Sequence, residues 1–406
     1  LRRARDLAGV NANQRLSPEA ATTLYGREPA CSISGLENFA SCPFKFFVSH
    51  GLRAEERKRF ELDSRERGSF QHEVLTVFHN ELMAEQRKWR DVLPDEARAR
   101  VRRIGQALLS DYRHGLFGAN AGRRFEGEAL LASLETLIAV LVGWARNYQF
   151  DPALVETGFG LPGGPWPAWR IAVDKEHALL LRGRIDRVDL WRDPATGAAL
   201  AVVMDYKSSS RTPDRVKLYH GLQLQLLAYL AGVESLPEVR DSLGVSSLAP
   251  VGVFYVNLRG EFSSARSRVE ALADAERALR LGFQHAGRYD ETFLERLDPG
   301  GVGEQFKTSS RSHDRMNQPA FRELLNRTVE NLRRFGREIF SGRLSPEPFR
   351  KGTETACDWC EYAAICRFDP WTQPFRALPA PPKPPAAAGE VKKPKPKRSR
   401  KSSPRS

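Results

Sequence analysis

The sequence predicts a mixed α/β protein in which helices surround a central sheet, and three observations support this prediction. Apolar residues recur at helical spacing through the first third of the chain. Residues 153–208 then contain short β-rich segments separated by Gly and Pro, and a helical pattern over 217–233 precedes another buried strand at 249–258. An order of helices, several strands, a helix and a strand is typical of one α/β core that carries helical insertions.

The composition indicates a globular protein without a membrane span. The chain has 406 residues and 41% hydrophobic content, which is enough to bury a sizeable core. No uninterrupted apolar stretch approaches the roughly 20 residues of a transmembrane helix, and the start LRRARDLAG lacks the apolar centre of a signal peptide. We therefore expect a cytoplasmic protein. Because the first residue is Leu1, we also expect a piece of a longer polypeptide.

The charge is unevenly distributed and favours a polyanionic partner. The net charge is +13, and the segment from residue 379 to the end contains nine basic residues and one acidic residue, so it carries +8 of that total. Its Pro, Ala, Lys and Ser composition predicts a disordered arm. A solubilising tail and a nucleic-acid tether are both compatible with this composition.

The helical segments can be predicted in chain order. Residues 1–30 form a lead-in, with a short helix in SPEAATTLYG. Ser34 and Glu37 match a capping box that would start a helix through NFASCPFKFF. Another helix begins near Arg65, and its apolar stripe recurs every four residues. Further helical patterns cover about 95–115, 126–148, 217–233, 268–286 and 318–341.

The strands are predicted to form an antiparallel meander. Its segments read ALVETGFGL, PAWRIAVD, HALLLRGRIDRVDLW and ALAVVMDYKS, with DPATG as the turn between the last two. Another buried strand, APVGVFYVNL, follows the helical pattern at 217–233.

Two of these strands carry charged residues that interrupt apolar runs. Asp205 and Lys207 lie two residues apart and so project from the same face of their strand. If the DPATG turn pairs the two strands, Asp186 comes close to Asp205. Two carboxylates suit Mg²⁺ or Mn²⁺, and an adjacent ammonium can orient a water molecule for phosphodiester hydrolysis. An ion pair at a sheet edge is the more frequent explanation of an isolated Asp-x-Lys.

Three further polar residues extend this candidate site. Gln225 and Tyr229 lie four apart on a predicted helix and so share one face, from which they could contact a phosphate or its neighbours. His72 lies beside the apolar stripe of an early helix and is a possible third metal ligand. Taken alone, the first two could be the polar edge of an amphipathic helix, and the histidine could be structural.

The cysteines form a second constellation. Cys357, Cys360 and Cys366 have C-x2-C-x5-C spacing, which indicates metal binding rather than disulfides in a cytosolic chain. A tetrahedral zinc or iron–sulfur site needs a fourth thiolate, for which Cys42 and Cys31 are the candidates. We prefer Cys42 because it lies just inside an aromatic-rich helix end. The residues alone do not distinguish zinc from an iron–sulfur cluster, and buried unliganded cysteines are the remaining alternative.

The order of these motifs resembles one nuclease family. A G-x3-H motif ending at His72, GRIDRVD, DYK, Q-x3-Y and one cysteine far upstream of C-x2-C-x5-C are similar to the RecB-like branch of the PD-(D/E)XK nucleases, in particular its members with an iron–sulfur staple. LSPEAATTLYG and SISGLENFASCPFKFF resemble the nuclease domain of AddB-type helicase–nuclease subunits. The resemblance covers about residues 17–370. Asp205 stands where many members have Glu, a variation that is common in the family.

The resemblance implies a fold, a reaction and residue roles. The fold would be a PD-(D/E)XK (restriction-endonuclease-like) α/β core with a mixed central sheet flanked by helices, helical insertions and a cysteine-ligated cluster. The implied activity is exonucleolytic cleavage of DNA. The implied metal ligands are His72, Asp186 and Asp205; Lys207 would activate water, Gln225 and Tyr229 would shape the DNA site, and a 4Fe–4S cluster would be bound by Cys42, Cys357, Cys360 and Cys366.

The resemblance also implies an organisation and partners. Residues 1–30 would lead in from a missing N-terminal region, 31–370 would be the nuclease domain and 371–406 would be the disordered basic tail. The domain would degrade single-stranded or unwound DNA beside an AddA-type helicase–nuclease subunit, as a heterodimer, during double-strand break repair by recombination. The alternatives are a free-standing RecB-like single-strand exonuclease and an inactive, cluster-stapled DNA-binding module.

Overall fold

A mixed sheet of eight strands forms the centre of the fold in the computed structural model, which describes residues 15–55, 61–261, 267–301, 304–307 and 314–382. The strands of this sheet are β1 (Ala30–Ser32), β2 (Asp151–Phe159), β3 (Trp169–Ala172), β4 (Ala178–Arg192), β5 (Ala199–Lys207), β6 (Leu248–Asn257), β7 (Ala286–Asp290) and β8 (Arg315–Met316). A small second sheet contains β9 (Phe349–Lys351), β10 (Glu354–Thr355) and β11 (Arg376–Ala377).

The helices are distributed along the whole described chain, which agrees with the predicted mixed α/β class. They are α1 (Pro18–Tyr25), α2 (Ile33–Ser41), α3 (Pro43–Phe46), α4 (Ser64–Ala84), α5 (Pro94–Asp111), α6 (Ala121–Ala145), α7 (Arg215–His220), α8 (Gln225–Ser235), α9 (Pro237–Leu243), α10 (Arg268–Ala273), α11 (Ala275–Gly282), α12 (Leu294–Leu297), α13 (Gln318–Phe340) and α14 (Ala363–Cys366).

The strand order is β1-β4-β5-β6-β7-β8, and both β2 and β3 pair with β4. The predicted antiparallel pairing of β4 with β5 is confirmed. The predicted meander is wrong, because β2 pairs with β4 rather than with the next strand, β3. The reason is the length of β4, whose 15 residues accommodate β3 along residues 178–181 and β2 along residues 183–190.

The sheet separates two hydrophobic cores. Alternate residues of β5 face opposite sides, so that Val203 belongs to the core beneath α2, α8 and α13, whereas Met204 belongs to the core beneath α4, α5 and α6. Both residues are fully buried. Because β5 is covered on both faces, its backbone is held rigidly as far as its C-terminal end, where Asp205 and Lys207 lie.

The predicted capping box at the start of α2 is wrong. Ser32, not Ser34, caps the helix, and its hydroxyl accepts a hydrogen bond from Gly35 N at 3.0 Å. Glu37 instead accepts hydrogen bonds from the backbone of Leu224 and Gln225. The helix therefore starts earlier than predicted, and Glu37 contacts a distant part of the chain instead of the helix N-terminus.

The helix predicted over 217–233 is divided into α7 and α8. Gly221 ends α7 with a φ of 81°, and a Cβ there would approach the ring of Phe335 to 2.6 Å. Both the left-handed backbone and the lack of space require glycine at this position. The interruption allows α8 to start afresh at Gln225, above the end of β5.

Among the helices that the structure describes, one, α6, is long and apolar enough to cross a membrane by length and composition. Most of its apolar window, 61%, is buried inside the protein. Its leucines pack in the core formed with α4 and α5, as is typical of a core helix. Glu135 interrupts its apolar residues, so it is not an uninterrupted apolar stretch.

The C-terminal part of the described chain is ordered further than predicted. The sequence predicts a disordered tail from residue 371, but β11 pairs with β9 at Arg376–Ala377. The ring of Phe375 also packs against Phe368 and beneath the guanidinium of Arg350. Residues 1–14 of the predicted lead-in and residues 383–406 of the basic tail lie outside the described residues.

Candidate active site

Asp186 and Asp205 lie opposite each other on β4 and β5. The flanking pair, Arg187 and Met204, is in register, which places both carboxylates on the same face of the sheet. Asp186 Oδ2 accepts a hydrogen bond of 2.8 Å from the backbone of Tyr206. The pairing through the DPATG turn thus brings together the two acids that the strand patterns singled out.

Asp205 is fully buried and incompletely satisfied. Its Oδ2 contacts the ammonium of Lys207, whereas Oδ1 has no hydrogen-bond partner among the described residues. An unsatisfied buried carboxylate oxygen is destabilising. Its position beside a second carboxylate is the environment that a bound cation would compensate.

His72, from α4, and Glu156, from β2, complete a group of possible metal ligands. His72 Nδ1 lies 2.7 Å from Glu156 Oε1 and 3.8 Å from Asp186 Oδ1. One ligand atom from each of these three residues lies within 4.8 Å of the other two. Carboxylate oxygens with one imidazole fit Mn²⁺ well and Mg²⁺ acceptably, since both cations favour oxygen ligands. The residues present therefore fit a divalent cation.

Glu156 is a site residue that the sequence prediction missed. It is the one acid in ALVETGFGL and lies in a strand, as Asp205 does, so the same signal of a charge within an apolar strand was present. Its backbone has a φ of 47°, which is uncommon for a residue other than glycine and is costly in a strand. The strained conformation directs the carboxylate towards His72.

The titratable groups of this site shift one another's pKa values. Burial, followed by the charge of Asp205, raises the pKa of Asp186. Burial also raises the pKa of Asp205, although Lys207 acts in the opposite direction. Burial alone would lower the pKa of His72, but the hydrogen bond with Glu156 and the charge of Asp186 raise it to about 9. At neutral pH the metal-free site therefore retains protons that a cation would displace.

We expect the metal-free protein to lose stability as the pH rises from about 6.5 to about 9. The folded pKa of His72 lies above its ordinary value of 6.5, so the folded state binds more protons than the unfolded state in this window. The raised pKa values of the two aspartates act in the same direction. Denaturant unfolding should show a loss of about 3 kcal/mol across the window from His72 alone.

Two comparisons test the origin of this pH dependence. The stabilisation by added Mg²⁺ or Mn²⁺ should increase with pH, because protons no longer compete with the cation. In His72→Gln the pH dependence of the metal-free protein should be shallower. An unfolding temperature that follows the same pH course in wild type and His72→Gln would contradict the assignment of the effect to His72.

Lys207 is linked to Gln225 and Tyr229 by a short chain of polar contacts. Lys207 Nζ donates to Gln225 Oε1 at 3.3 Å, and Gln225 Nε2 donates to the hydroxyl of Tyr229 at 3.4 Å. Burial raises the pKa of the Tyr229 hydroxyl, which is therefore neutral at physiological pH. The structure thus brings all three residues to the aspartate pair, and Gln225 orients the lysine.

Two arginines lie around this group of acids. Arg184 Nη1 is 3.7 Å from Glu156 Oε2, and the arginine side chain is largely exposed. The guanidinium of Arg211 lies 5.9 Å from the centre of the Tyr255 ring, and its charge partly opposes the burial that raises the pKa of Asp205. Exposed cations beside a metal-binding group are suited to contact phosphate groups.

Cys42 lies near the C-terminal cysteines, although in the described part of the chain the group of possible metal-ligating atoms within 4.8 Å of one another contains no thiol. Cys42 lies between α2 and α3, where Pro43 starts the next helix. Cys357 and Cys360 follow β10, and Cys366 is the last residue of α14. Burial and the neighbouring thiols of Cys42, Cys360 and Cys366 raise the pKa of Cys357 to about 11. The charge of Cys366 also contributes to the raised pKa of Cys42, after burial.

Cys31 lies elsewhere, in β1, where it pairs with Leu181 and is buried in the core beneath α2. Burial raises the pKa of its thiol. Of the two candidates for the fourth ligand, only Cys42 therefore lies with the C-terminal cysteines.

Comparison with known proteins identifies similar sequences along most of the chain. The model of the PD-(D/E)XK nuclease superfamily matches residues 30–367. An ATP-dependent helicase/deoxyribonuclease subunit of Moorella thermoacetica is 32% identical over 373 residues, which cover 87% of this chain and 31% of that protein. A protein of Symbiobacterium thermophilum with the same description is 30% identical, and the match covers 88% of this chain and 31% of that protein. Another, from Alkaliphilus metalliredigens, is 29% identical, and the match covers 86% of this chain and 31% of that protein. The chain thus spans about a third of the length of these relatives.

Proposed function

Because this chain belongs to the PD-(D/E)XK nuclease superfamily, we propose that it is a metal-dependent DNA exonuclease domain of an AddB-type helicase–nuclease subunit. The observation that carries the proposal is the group formed by His72, Glu156 and Asp186. Asp205 lies opposite Asp186 on the neighbouring strand and contacts Lys207. The relatives' description as helicase/deoxyribonuclease subunits supports DNA as the substrate.

The proposed metal site contains His72, Glu156, Asp186 and Asp205, and it would hold Mg²⁺ or Mn²⁺. When bound at these residues, such a cation would supply Lewis-acid chemistry at a phosphate oxygen. The protein positions the three acids on neighbouring strands of one sheet, β2, β4 and β5, which preorganises them before DNA binds. Glu156 is added here to the ligands expected from the sequence.

Lys207 has a separate role beside the metal ligands. Its ammonium is held between Asp205 and Gln225 and remains partly exposed, with 24% of the side chain accessible. From this position it orients the attacking water and balances the negative charge that develops on the phosphate. The Tyr229 hydroxyl accepts a hydrogen bond from Gln225, and the two residues together shape the DNA site.

We further propose that Cys42, Cys357, Cys360 and Cys366 bind a 4Fe–4S cluster rather than zinc. The charges of Cys42, Cys360 and Cys366 act on Cys357, which supports placing the four thiols near one another, and both the shared site and the iron–sulfur assignment rest on the family resemblance. Such a cluster would connect the start of the nuclease domain to its C-terminal end. Its role in this domain would be structural, because it lies on segments other than those that carry the proposed catalytic acids.

The biological setting follows from the same resemblance. The domain would act in the cytoplasm, in association with the nucleoid, on single-stranded DNA or unwound duplex ends. An AddA-type helicase–nuclease subunit would be its partner in a heterodimer, and the pair would process double-strand breaks for homologous recombination.

The function is tested by cleavage of end-labelled single-stranded DNA in Mg²⁺. We expect Lys207→Ala to reduce cleavage by about 10³-fold, which corresponds to about 4 kcal/mol of transition-state stabilisation. DNA binding in the absence of cleavage should change little, because Lys207 is one cation among several. EDTA should stop cleavage by the wild-type protein.

Lys217→Ala is the matched control, since Lys217 is paired with Glu354 away from the proposed site. It should cleave as the wild type does. Equal cleavage by wild type and Lys207→Ala would refute the proposed role of Lys207. DNA binding without cleavage by the wild type would favour an inactive DNA-binding module.

A further inference from the structure

Glu37 makes an unusual contact between two distant parts of the chain. It lies in the middle of α2, and its Oε1 accepts hydrogen bonds from Leu224 N at 2.5 Å and Gln225 N at 3.0 Å. These amides stand at the N-terminus of α8, where Leu224 cannot provide a side-chain cap. The cap of α8 is therefore supplied by a residue 187 positions earlier in the chain.

The carboxylate of Glu37 lies beside the proposed active site. Lys207 and Arg211 are close enough for their charges to act on it, and it is partly buried. A carboxylate is also favoured at this place by the partial positive charge of the helix N-terminus. Hydrogen bonds from backbone amides to an ionised carboxylate are stronger than those to a neutral group.

The capped turn of α8 carries the residue that orients Lys207. Gln225 is the first residue of α8, and its side chain contacts both Lys207 Nζ and the Tyr229 hydroxyl. A shift of this turn would therefore change both contacts together. The end of β5, which carries Lys207, is held independently by its pairing with β6.

We propose that Glu37 is a positioning residue of the active site, which holds the first turn of α8 so that Gln225 can orient the Lys207 ammonium. This inference rests on the proposed nuclease function. Glu37 touches neither substrate nor reacting atoms; it acts through the backbone of Leu224 and Gln225. An error of about 1 Å in such a contact can lower a rate by about 100-fold.

The experiment compares Glu37→Ala, Glu37→Gln and Asn38→Ala with the wild type. Asn38 is the next residue on α2, and among the described residues its side chain makes no hydrogen bond with α8. In Glu37→Ala, kcat for single-stranded DNA in Mg²⁺ should fall about 10- to 100-fold while KM changes by less than about 3-fold. Glu37→Gln keeps an acceptor and should retain kcat within about 3-fold of wild type.

Hydrogen exchange of the backbone amides in the first turn of α8 provides a readout that does not depend on activity. Exchange should be at least about 10-fold faster in Glu37→Ala and close to wild type in Glu37→Gln and Asn38→Ala. Faster exchange together with an unchanged kcat would overturn the inference, because Glu37 would then have only a structural role.

The two possible failures can be told apart. If the wild type cleaves DNA and Glu37→Ala has the same kcat, the inference about Glu37 fails and the nuclease function stands. If the wild type cleaves no DNA under any of these conditions, the proposed function fails, and the positioning role fails with it. A loss of kcat in Glu37→Gln as large as that in Glu37→Ala would contradict a role based on hydrogen-bond acceptance.

Discussion

Replacing Asp205 with asparagine is expected to abolish DNA cleavage and, at the same time, to stabilise the metal-free protein. Cleavage should fall by at least about 10³-fold, because the variant lacks one of the charges that bind the cation. The free energy of unfolding should rise by about 1 kcal/mol, because the buried carboxylate lies beside Asp186 and its Oδ1 has no hydrogen-bond partner in the described parts of the chain. Cleavage assays and denaturant unfolding without added metal measure the two effects.

The matched control is Asp189→Asn, three residues beyond Asp186 on β4. Asp189 is equally buried but forms a bidentate ion pair with Arg187, at 2.6 and 2.7 Å. Its neutralisation leaves a buried guanidinium without its counter-charge and should destabilise the protein by about 3 kcal/mol. A destabilisation of similar size in Asp205→Asn would contradict the view that Asp205 is held in an unfavourable environment for function.

Loss of any one of the four clustered cysteines is expected to have the largest effect on stability. A metal site joining Cys42 to Cys357 closes a loop of about 315 residues, which by the chain-entropy model constrains the unfolded chain by roughly 6 kcal/mol. Cys360→Ser should therefore lose its bound metal and several kcal/mol of stability. Anaerobic purification followed by iron, sulfide and zinc analysis measures the first effect, and denaturant unfolding measures the second.

Cys31→Ala is the control for this series. Cys31 is buried in β1, away from the other thiols, so its replacement should cost about 1 kcal/mol and leave the metal content unchanged. Stoichiometric zinc without iron or sulfide would replace the cluster interpretation by a zinc site. Wild-type metal content in Cys360→Ser would contradict a shared site altogether.

The pairing of the two acidic strands could be predicted because its signals are local. Asp205 and Lys207 interrupt an apolar run, and DPATG is a turn that returns the chain antiparallel beside it. Two residues of opposite strands joined by a short turn have little freedom in register. The approach of Asp186 to Asp205 follows from these features alone.

Other features escaped prediction because local patterns were ambiguous. Ser34 and Glu37 have the spacing of a capping box, but Ser32 takes the cap and Glu37 reaches α8. The leucines of residues 217–233 suit one continuous helix, but Gly221 adopts a left-handed conformation against Phe335. In both cases a partner far along the chain decides between local alternatives that have similar energies.

Residue type and spacing were sufficient to predict the mixed α/β class, the carboxylate pair with its lysine and the C-terminal cysteine motif, because periodicity and turn chemistry act over a few residues. The contact of His72 with Glu156, the separation of Cys31 from Cys42 and the cap that Glu37 provides required the folded chain. The two contacts join residues 84 and 188 positions apart. The separation of the two cysteines depends on the position of β1 in the sheet. Packing of the whole core brings such residues together, and no pattern within a single segment records that packing.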